Sequence, residues 1–320
     1  MTERFADIGT RITGVRQLGA VVNAMRGIAA ARPQQARNQL VAVDGYAATI
    51  AAAIGRVIAL VPPDRDGPEA GPGRPALVLF CAEQGFAGAF SERVLDAAGA
   101  DAARAELFLV GTRGLVAASE RGIKPGWSAA MPSHSPGIPK LADTITGALC
   151  AQIATDDLGP IDVVFTDWQP GHGTSIEHRR LLPFDPALFP RPADQNAPLL
   201  NLAPHALLTG LTAEYLHAQL CNAALHAFAA ENEARMESMA AARDQIERQL
   251  SSLQASQRLV RQEEITAEII ELAAGETASL AHRHGSVGNY AEGASLTRNC
   301  RTAQRGDGRN RRWRDPFQRE

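Results

Sequence analysis

Apolar positions near the start of the chain recur every three or four residues, which is the spacing of one apolar stripe along an α-helix. Part of the stripe repeats every seven residues, as the seam of a coiled coil does. Several glycines weaken the helix, and Pro33 is expected to kink or break it. We therefore predict an N-terminal coiled-coil helix within residues 1–60 that needs a partner helix. The stripe consists of Ile8, Ile12, Val15, Leu18, Val22, Met25 and Ala29.

A second, longer helix is predicted towards the other end, because neither Gly nor Pro occurs from Leu211 to Ala274. The segment is rich in Ala, Leu, Glu, Gln and Arg, which are strong helix formers. A helix of this length exceeds an ordinary domain and has to lie in a coiled coil or inside a partner. We predict a coiled-coil helix over residues 206–280. Its seam consists of Met239, Ile246, Leu253 and Val260, with Met236 and Leu250 at the other seam position.

Between these helices, short apolar runs alternate with helical patterns. The runs ALVLFCA (76–82), AELFLVG (105–111) and IDVVFTDW (161–168) are typical of buried strands, and residues 174–183 are a candidate for a further strand. Strands that alternate with helices favour a small Rossmann-like α/β domain with a mostly parallel sheet. We place this domain and an irregular, proline-rich exit at 76–205, after a linker at 61–75 that is rich in Pro and Gly. The helical segments are Ser91–Ala100, Thr112–Arg121 and Leu141–Ala154.

Composition narrows the possible functions. Apolar residues make up 45% of the chain and charged residues 21%, so we expect a folded core. The net charge of −3 argues against a general nucleic-acid binder. No apolar run approaches the length of about 20 residues that a membrane span needs, and the start lacks the apolar core of a signal peptide. We therefore expect a cytoplasmic chain without a membrane span. The tail, residues 281–320, is predicted to be disordered because it has few apolar residues.

Two segments have some features of ligand sites. Residues 84–90, QGFAGAF, follow a strand and precede a helix as a phosphate-binding loop would. They match neither of the glycine-rich phosphate patterns, however, and a tight strand-to-helix turn is the favoured interpretation. His172 and His178 flank Glu177 at a spacing that fits no metal-site pattern, and the four cysteines form no C-x-x-C pair. We predict no catalytic residue, no metal site and no cofactor.

Motifs at both ends of the chain resemble those of the F-type ATP synthase gamma subunit. IGTRITGVRQLGAVVNAMRGIAAAR (8–32) resembles the first helix of that family. ENEARMESM (231–239) and RQEEITAEIIELAAGETA (261–278) resemble two of its C-terminal motifs. EQGFAGAF (83–90) resembles the turn after its first strand. The resemblance covers residues 3–278, and it is the order and spacing of the motifs that make it specific.

The chain also departs from the family pattern. Glu83 and Gln84 replace the usual Asp-Arg, and Pro33 lies where the family has an uninterrupted helix. Gln245 and Arg258 stand where Asn is common, and the tail has no counterpart. These features resemble the alternate gamma subunits of a second bacterial F-type ATPase, which is proposed to move Na⁺. The ion itself is selected in the membrane ring and not in the gamma subunit.

The resemblance implies a rotor shaft. The two helices would wind into an antiparallel coiled coil inside the hexamer of alpha and beta subunits, and the α/β domain would rest on the epsilon subunit and the membrane c-ring. The chain would be the central-stalk subunit that couples ion translocation to ATP synthesis or hydrolysis. It would lie peripherally on the cytoplasmic face of a bacterial membrane, without a catalytic site of its own.

The resemblance also implies coupling contacts. Met25 corresponds to a coupling position on the first helix, and small residues at Gly14, Gly19 and 240–242 would let the two helices approach closely. Without the resemblance, the charged residues among the coupling positions would be interpreted as a solvated helix face. Met25 would be interpreted as an ordinary seam residue. Two other readings remain open, an independent ligand-binding α/β module and a coiled-coil scaffold that does not rotate. The residues implied to touch loops of the catalytic subunits are Glu231, Arg235, Arg261, Gln262 and Thr266.

Overall fold

The structure is a computed structural model that describes residues 2–58, 60, 73–155, 158–169, 173–189 and 200–285. The chain divides into two compact units, Met1–Leu259 and Val260–Glu320. Most of the predicted linker, His172, much of the proline-rich exit and the tail beyond residue 285 lie outside the described residues.

Two long helices begin and end the described chain. Helix α1 runs from Thr2 to Ile58, and helix α6 runs from Pro204 to Gly285. Helix α6 therefore continues five residues into the segment whose composition predicts a disordered tail. Pro33 lies inside α1, which continues through it, so the break, one of the two predicted effects, does not occur. Proline removes one helical N–H, but the seam residues on either side of Pro33 remain buried, so tertiary packing maintains the helix through this position.

Helices α1 and α6 are antiparallel within the first unit. As residue numbers rise along α1, the numbers of their partners on α6 fall, which confirms the antiparallel coiled coil that the resemblance implies. The joining contacts are Gly19 with Ile246, Arg37 Nη2 with Glu233 Oε1 at 2.6 Å, Asp44 Oδ1 with Asn222 Nδ2 at 2.8 Å, and Tyr46 with Glu214 at 2.6 Å.

The seam of α1 differs from the predicted stripe at one position. Leu18 is 53% exposed, whereas a Cβ placed on the neighbouring Gly19 would lie 3.4 Å from Ile246 Cγ2. The helices therefore approach each other over a glycine and not over a leucine. A Cβ at Gly14 would meet no described atom within 4 Å, so of the two glycines only Gly19 lies at a close approach. The other stripe residues are buried or half-buried.

A five-stranded sheet lies between the two helices in the sequence. Its strand order is β3-β2-β1-β4-β5, and β1 to β4 are parallel to their neighbours while β5 is antiparallel to β4. The three apolar runs and the further candidate are all strands, and the short β3 is an addition that no apolar run signals. The strands are β1 (Arg74–Phe80), β2 (Glu106–Val110), β3 (Trp127–Ala129), β4 (Leu158–Gln169) and β5 (Gly173–Leu182).

Helices cover both faces of this sheet, as the prediction of an α/β domain requires. Alternate side chains of β1, such as Val78 and Leu79, point into two separate apolar clusters. The first cluster contains residues of α5 and α6 together with Ala36 of α1, and the second contains residues of α2 and α4. Helix α6 is therefore packed directly on the sheet. The shorter helices are α2 (Phe90–Ala98), α3 (Asp101–Arg104), α4 (Thr112–Glu120) and α5 (Ile138–Ile153).

One helix in the described part of the chain is long and apolar enough to cross a membrane by length and composition alone. It spans Arg4–Ile58 and contains an 18-residue window of mean hydropathy 1.5, so the expectation that no such run exists is wrong. Core helices of soluble proteins also meet this criterion, and 22% of the window is buried within the protein. Arg37 and Asp44 on the same helix have polar partners on α6.

Candidate functional site

The most strongly organised polar cluster lies where α6 passes the carboxyl edge of the sheet. Glu231 and Arg235 are one helical turn apart and form an ion pair, with side chains only 4% and 5% exposed. Glu231 Oε1 accepts a hydrogen bond from the backbone N–H of Gln84 at 3.0 Å. Arg235 Nε donates to the carbonyl oxygen of Gly85 at 3.1 Å, and Nη1 donates to Asn232 Oδ1 at 3.0 Å. The pair therefore holds the β1–α2 loop, which we define as residues 81–89.

Glu83 holds the same loop from the side of the sheet. Its Oε2 accepts hydrogen bonds from the backbone N–H of Thr112, at 3.0 Å, and of Met131, at 2.9 Å. The Thr112 hydroxyl donates to the Glu83 carbonyl oxygen at 2.9 Å. Thr112 begins α4, where the helix dipole favours a carboxylate, and Met131 follows β3. One side chain thus joins the segments that follow three neighbouring strands.

The apex of the β1–α2 loop projects from these two anchors. Phe86 is 65% exposed and has φ 64°, a left-handed conformation that is uncommon for a residue other than glycine. Such a conformation persists where the surroundings determine it. The apex is therefore a fixed turn that follows directly after the hydrogen-bonded residues Glu83, Gln84 and Gly85.

A cavity of about 350 Å³ lies beside the loop, lined by residues of the loop, α2 and α4. Two of the loop amides beside the cavity are engaged within the protein, since Ala82 N–H donates to Ser91 Oγ and Gln84 N–H donates to Glu231. Two carboxylates, Glu92 and Glu120, and one guanidinium, Arg113, also line the cavity, so the charges around it do not favour an anion. These contacts support the interpretation of QGFAGAF as a strand-to-helix turn.

The histidine and cysteine clusters do not form reactive arrangements. His217 Nε2 lies 3.5 Å from Cys221 Sγ and 3.2 Å from Asp143 Oδ1, so one nitrogen faces both groups and cannot relay a proton between them. Burial raises the pKa of the Cys221 thiol to about 12, which keeps it protonated at neutral pH. Within the described ranges, no group of three or more His, Cys, Asp and Glu side chains is placed to hold a metal ion.

Residues 4–278 match the family model described as ATP synthase. The ATP synthase gamma chain of Acidothermus cellulolyticus is 28% identical over 291 residues, which cover 85% of this chain and 95% of that relative. The gamma chain of Frankia casuarinae is 27% identical over 87% of this chain and 98% of its own length. The chain belongs to the ATP synthase gamma family.

Solved structures share the fold of this gamma chain. The rotor of the Euglena gracilis mitochondrial ATP synthase in rotational state 1 matches 83% of this chain with a TM-score of 0.60 at 12% identity. A chain of the same enzyme in rotational state 3 matches 93% with a TM-score of 0.60 at 11% identity. These structures show the shared fold, and the family makes this gamma chain a subunit of an ATP synthase, a complex associated peripherally with a membrane.

The structure places the six predicted coupling residues of the gamma chain in three settings. Glu231 and Arg235 are brought together in the interior, with partners inside the chain. Met25 is half-buried on α1 and packs against the cluster formed by Val22, Met239 and Ile246. The remaining three are exposed on the part of α6 that belongs to the second unit, where the Thr266 hydroxyl donates to the Gln262 carbonyl oxygen at 2.8 Å. These three are Arg261, Gln262 and Thr266.

Sequence reasoning missed two residues that organise this gamma chain. Glu83 was noted only as a departure from the family pattern, because its partners Thr112 and Met131 are distant in sequence. Arg37 pairs with Glu233, and its guanidinium carbon lies 4.0 Å from the centre of the Trp168 ring, which joins α1 to α6 and to β4. The Glu231–Arg235 spacing of four residues did indicate an ion pair on one helix face, but nothing in it indicates the loop that the pair holds.

Proposed function

We propose that this gamma chain is the rotor shaft that couples ion translocation through the membrane c-ring to ATP synthesis or hydrolysis by the alpha and beta subunits. In this proposal the shaft consists of residues 1–60 and 206–280. The α/β domain, residues 76–205, follows the linker 61–75 and contacts the epsilon subunit and the c-ring. The chain has no catalytic site of its own and no membrane span, and it lies on the cytoplasmic face of a bacterial membrane.

The observation that carries this proposal is the exposed apolar surface of α6 in the second unit. Large aliphatic side chains, each between 49% and 75% exposed, recur there within eight residues. Exposed apolar residues at this density mark a surface that binds a partner. A sleeve formed by the catalytic subunits would cover them. They are Ile265, Ile269, Ile270 and Leu272.

The exposed polar residues of the same segment supply the proposed coupling contacts. Arg261 presents a guanidinium that can pair with a carboxylate in two parallel hydrogen bonds, and Gln262 and Thr266 add donors and acceptors beside it. Met25 is proposed to contribute from α1, where its side chain is half-buried and its outer part remains accessible. The burial of Glu231 and Arg235 favours an indirect contribution through the loop that they hold.

Reconstitution tests this function. The purified chain is mixed with alpha and beta subunits from the same genome, and ATP hydrolysis is measured with and without it. We expect hydrolysis to depend on the chain and to fall several-fold with Arg261→Ala or Gln262→Ala. Arg258→Ala is a matched control, since Arg258 is exposed and its guanidinium bonds the carbonyl oxygen of Gln254 in its own helix. Failure to assemble, together with unchanged hydrolysis, would overturn the proposal.

The coupling ion is a second readout of the same system. Once the complex is joined to its membrane sector in vesicles, ATP-driven uptake of ²²Na⁺ is compared with acidification of the interior. Uptake of Na⁺ that persists in the presence of a protonophore would identify a sodium pump of the alternate type. Acidification without Na⁺ uptake would identify a proton pump. Transport of either ion requires the shaft. As a control, vesicles assembled without the gamma chain should show neither Na⁺ uptake nor acidification.

A further inference from the structure

Two kinds of contact join α6 to the α/β domain. The apolar contacts between α6 and the sheet face are extensive, but hydrophobic association is not directional. The hydrogen bonds of Glu231 and Arg235 to Gln84 and Gly85 have defined directions and are part-buried. Two strands add directional contacts of their own, since Arg179 of β5 donates to Gln219 and Asn222, and Asp167 of β4 is hydrogen-bonded to His226. Directional contacts resist rotation of the helix about its axis. Apolar contacts resist separation of the helix from the sheet, but they offer less resistance to its rotation. The β1–α2 loop is therefore suited to transmit torque.

A loop can transmit torque only if its other side is also fixed. Glu83 provides this fixation, because its carboxylate accepts the backbone N–H groups of Thr112 and Met131 in the segments after β2 and β3. Phe86 follows directly after the two anchored segments and has a left-handed conformation, which persists where the surroundings determine it. The loop thus forms a continuous hydrogen-bonded connection from the sheet to α6.

We propose that Glu83 is a positioning residue of the rotor, and that the β1–α2 loop that it anchors transmits torque between the α/β domain and α6 alongside the contacts of β4 and β5. The proposal rests on the proposed rotary function. Glu83 touches neither nucleotide nor ion in this scheme. It acts by keeping the loop rigid, so that the grip of Glu231 and Arg235 on Gln84 and Gly85 moves the sheet together with the helix.

The experiment compares coupling with hydrolysis in the reconstituted complex with its membrane sector. Glu83→Ala removes both anchoring hydrogen bonds and is expected to lower the ions transported per ATP several-fold, while ATP hydrolysis stays within twofold of wild type. Glu83→Gln retains a carbonyl oxygen for the Thr112 and Met131 amides and is expected to restore coupling to within twofold. This rescue separates positioning by hydrogen bonds from a general need for charge.

Glu106→Ala is the matched control. Glu106 is also a half-buried glutamate of the sheet, but it pairs with Arg74 at the amino end of β1 and β2, away from the loop. We expect coupling in this variant to equal that of wild type. Normal coupling in Glu83→Ala would overturn the proposal. An equal loss of coupling in Glu83→Ala and Glu106→Ala would also overturn it, since the effect would then not be specific to the β1–α2 loop.

Amide hydrogen exchange in the isolated full chain tests the anchor separately from rotation. Glu83→Ala is expected to speed exchange at Gln84, Thr112 and Met131 at least tenfold, and to leave the amides in the middle of β1 unchanged. Unchanged exchange at all three would overturn the anchor.

If the alanine variant does not fold, Glu83→Asp takes its place, with intermediate exchange expected. If wild type itself gives no stimulated hydrolysis, the proposed function fails and the torque route with it, whereas exchange still decides the anchor.

Discussion

Glu231 and Arg235 illustrate how a charged pair is tolerated in the interior of this protein. Removing two charges from water is costly, and their mutual attraction repays that cost only when the remaining donors and acceptors are also satisfied. Here the loop backbone at Gln84 and Gly85 and the side chain of Asn232 satisfy them. The pair is therefore stable as a set, and loss of one member leaves the other charge buried without its partner.

We predict that Glu231→Ala lowers the free energy of unfolding by about 3–5 kcal/mol, the range for breaking a buried ion pair. Glu247→Ala removes the exposed partner of Arg243 on the same helix and should leave the free energy of unfolding nearly unchanged. Urea unfolding followed by circular dichroism measures both. The double variant Glu231→Met with Arg235→Met is expected to recover part of the loss. A loss for Glu231→Ala as small as that for Glu247→Ala would contradict the buried network.

The cysteines provide a prediction about pH. Burial raises the pKa of both the Cys81 and the Cys221 thiol to about 12. Burial also raises the pKa of the half-buried Cys150 thiol, but by less. Because only the thiolate is alkylated, Cys81 and Cys221 should react with iodoacetamide at pH 8 slower than a free thiol by a factor on the order of 10³. Peptide mass spectrometry measures the rates site by site. Urea-unfolded protein is the control, and rapid alkylation of Cys221 in the folded chain would contradict its burial.

The same shifts affect stability at high pH. A raised pKa means that the folded state binds the proton more tightly than the unfolded state does. The stabilisation from each thiol is therefore complete below pH 9 and is lost as pH rises from 9 towards about 12. Urea midpoints measured at pH 7, 9 and 10.5 should fall mainly in the last interval, and less in Cys221→Ala than in wild type.

At the scale of elements, the sequence predicts the helices and most strands because period and apolar runs are local properties. The seam of α1 shows where such reasoning ends. The seam includes Gly19 and Pro33, which are not among the apolar residues from which the stripe is predicted, and it leaves Leu18 on the surface. The three-residue β3 and the loop contacts of Glu83 are equally invisible, because their partners come from distant parts of the chain.

Pro33→Ala tests whether packing alone holds α1 through the proline. Alanine is favoured over proline in a helix interior by about 3 kcal/mol. Against this, the variant loses two buried methylenes of the ring, worth about 0.8 kcal/mol each. We therefore expect the free energy of unfolding to rise by about 1 kcal/mol. Gln35→Ala, an exposed neighbour, should change it little. Destabilisation by Pro33→Ala would mean that the ring fills the seam better than this balance allows.

Two glycines of α1 form a matched pair. At Gly14 a Cβ meets no described atom within 4 Å, so Gly14→Ala should stabilise the protein by about 1 kcal/mol through helix propensity. At Gly19 the new Cβ would lie 3.4 Å from Ile246 Cγ2, at the limit of ordinary van der Waals contact, so the seam has little spare room and the gain should be smaller than at Gly14. Thermal unfolding of both variants under identical conditions decides the comparison. Equal gains would contradict the close approach at Gly19.

At the scale of the whole first unit, α1, α6 and the sheet are linked pairwise by polar contacts in addition to their apolar packing. Arg37 joins α1 to Glu233 on α6 and to Trp168 on β4. Arg179 on β5 donates to Gln219 and Asn222 of α6, and Asn222 donates onward to Asp44 of α1. A rotor built in this way should turn as one body, with no sliding between its two long helices.

A cross-link between the helices tests that expectation directly. Since the Cβ position of Gly19 lies 3.4 Å from Ile246 Cγ2, the two Cβ atoms lie within about 5 Å, close to the range of about 3.5–4.5 Å across a disulfide. Gly19→Cys with Ile246→Cys, in a background with Cys150→Ser and Cys300→Ser, should therefore oxidise to a bridge. In the reconstituted complex we expect ATP hydrolysis to be the same before and after reduction, because the bond joins parts that rotate together. Each single-cysteine variant controls for the substitutions. Hydrolysis that is blocked by oxidation and restored by reduction would show instead that α1 and α6 move against each other during the catalytic cycle.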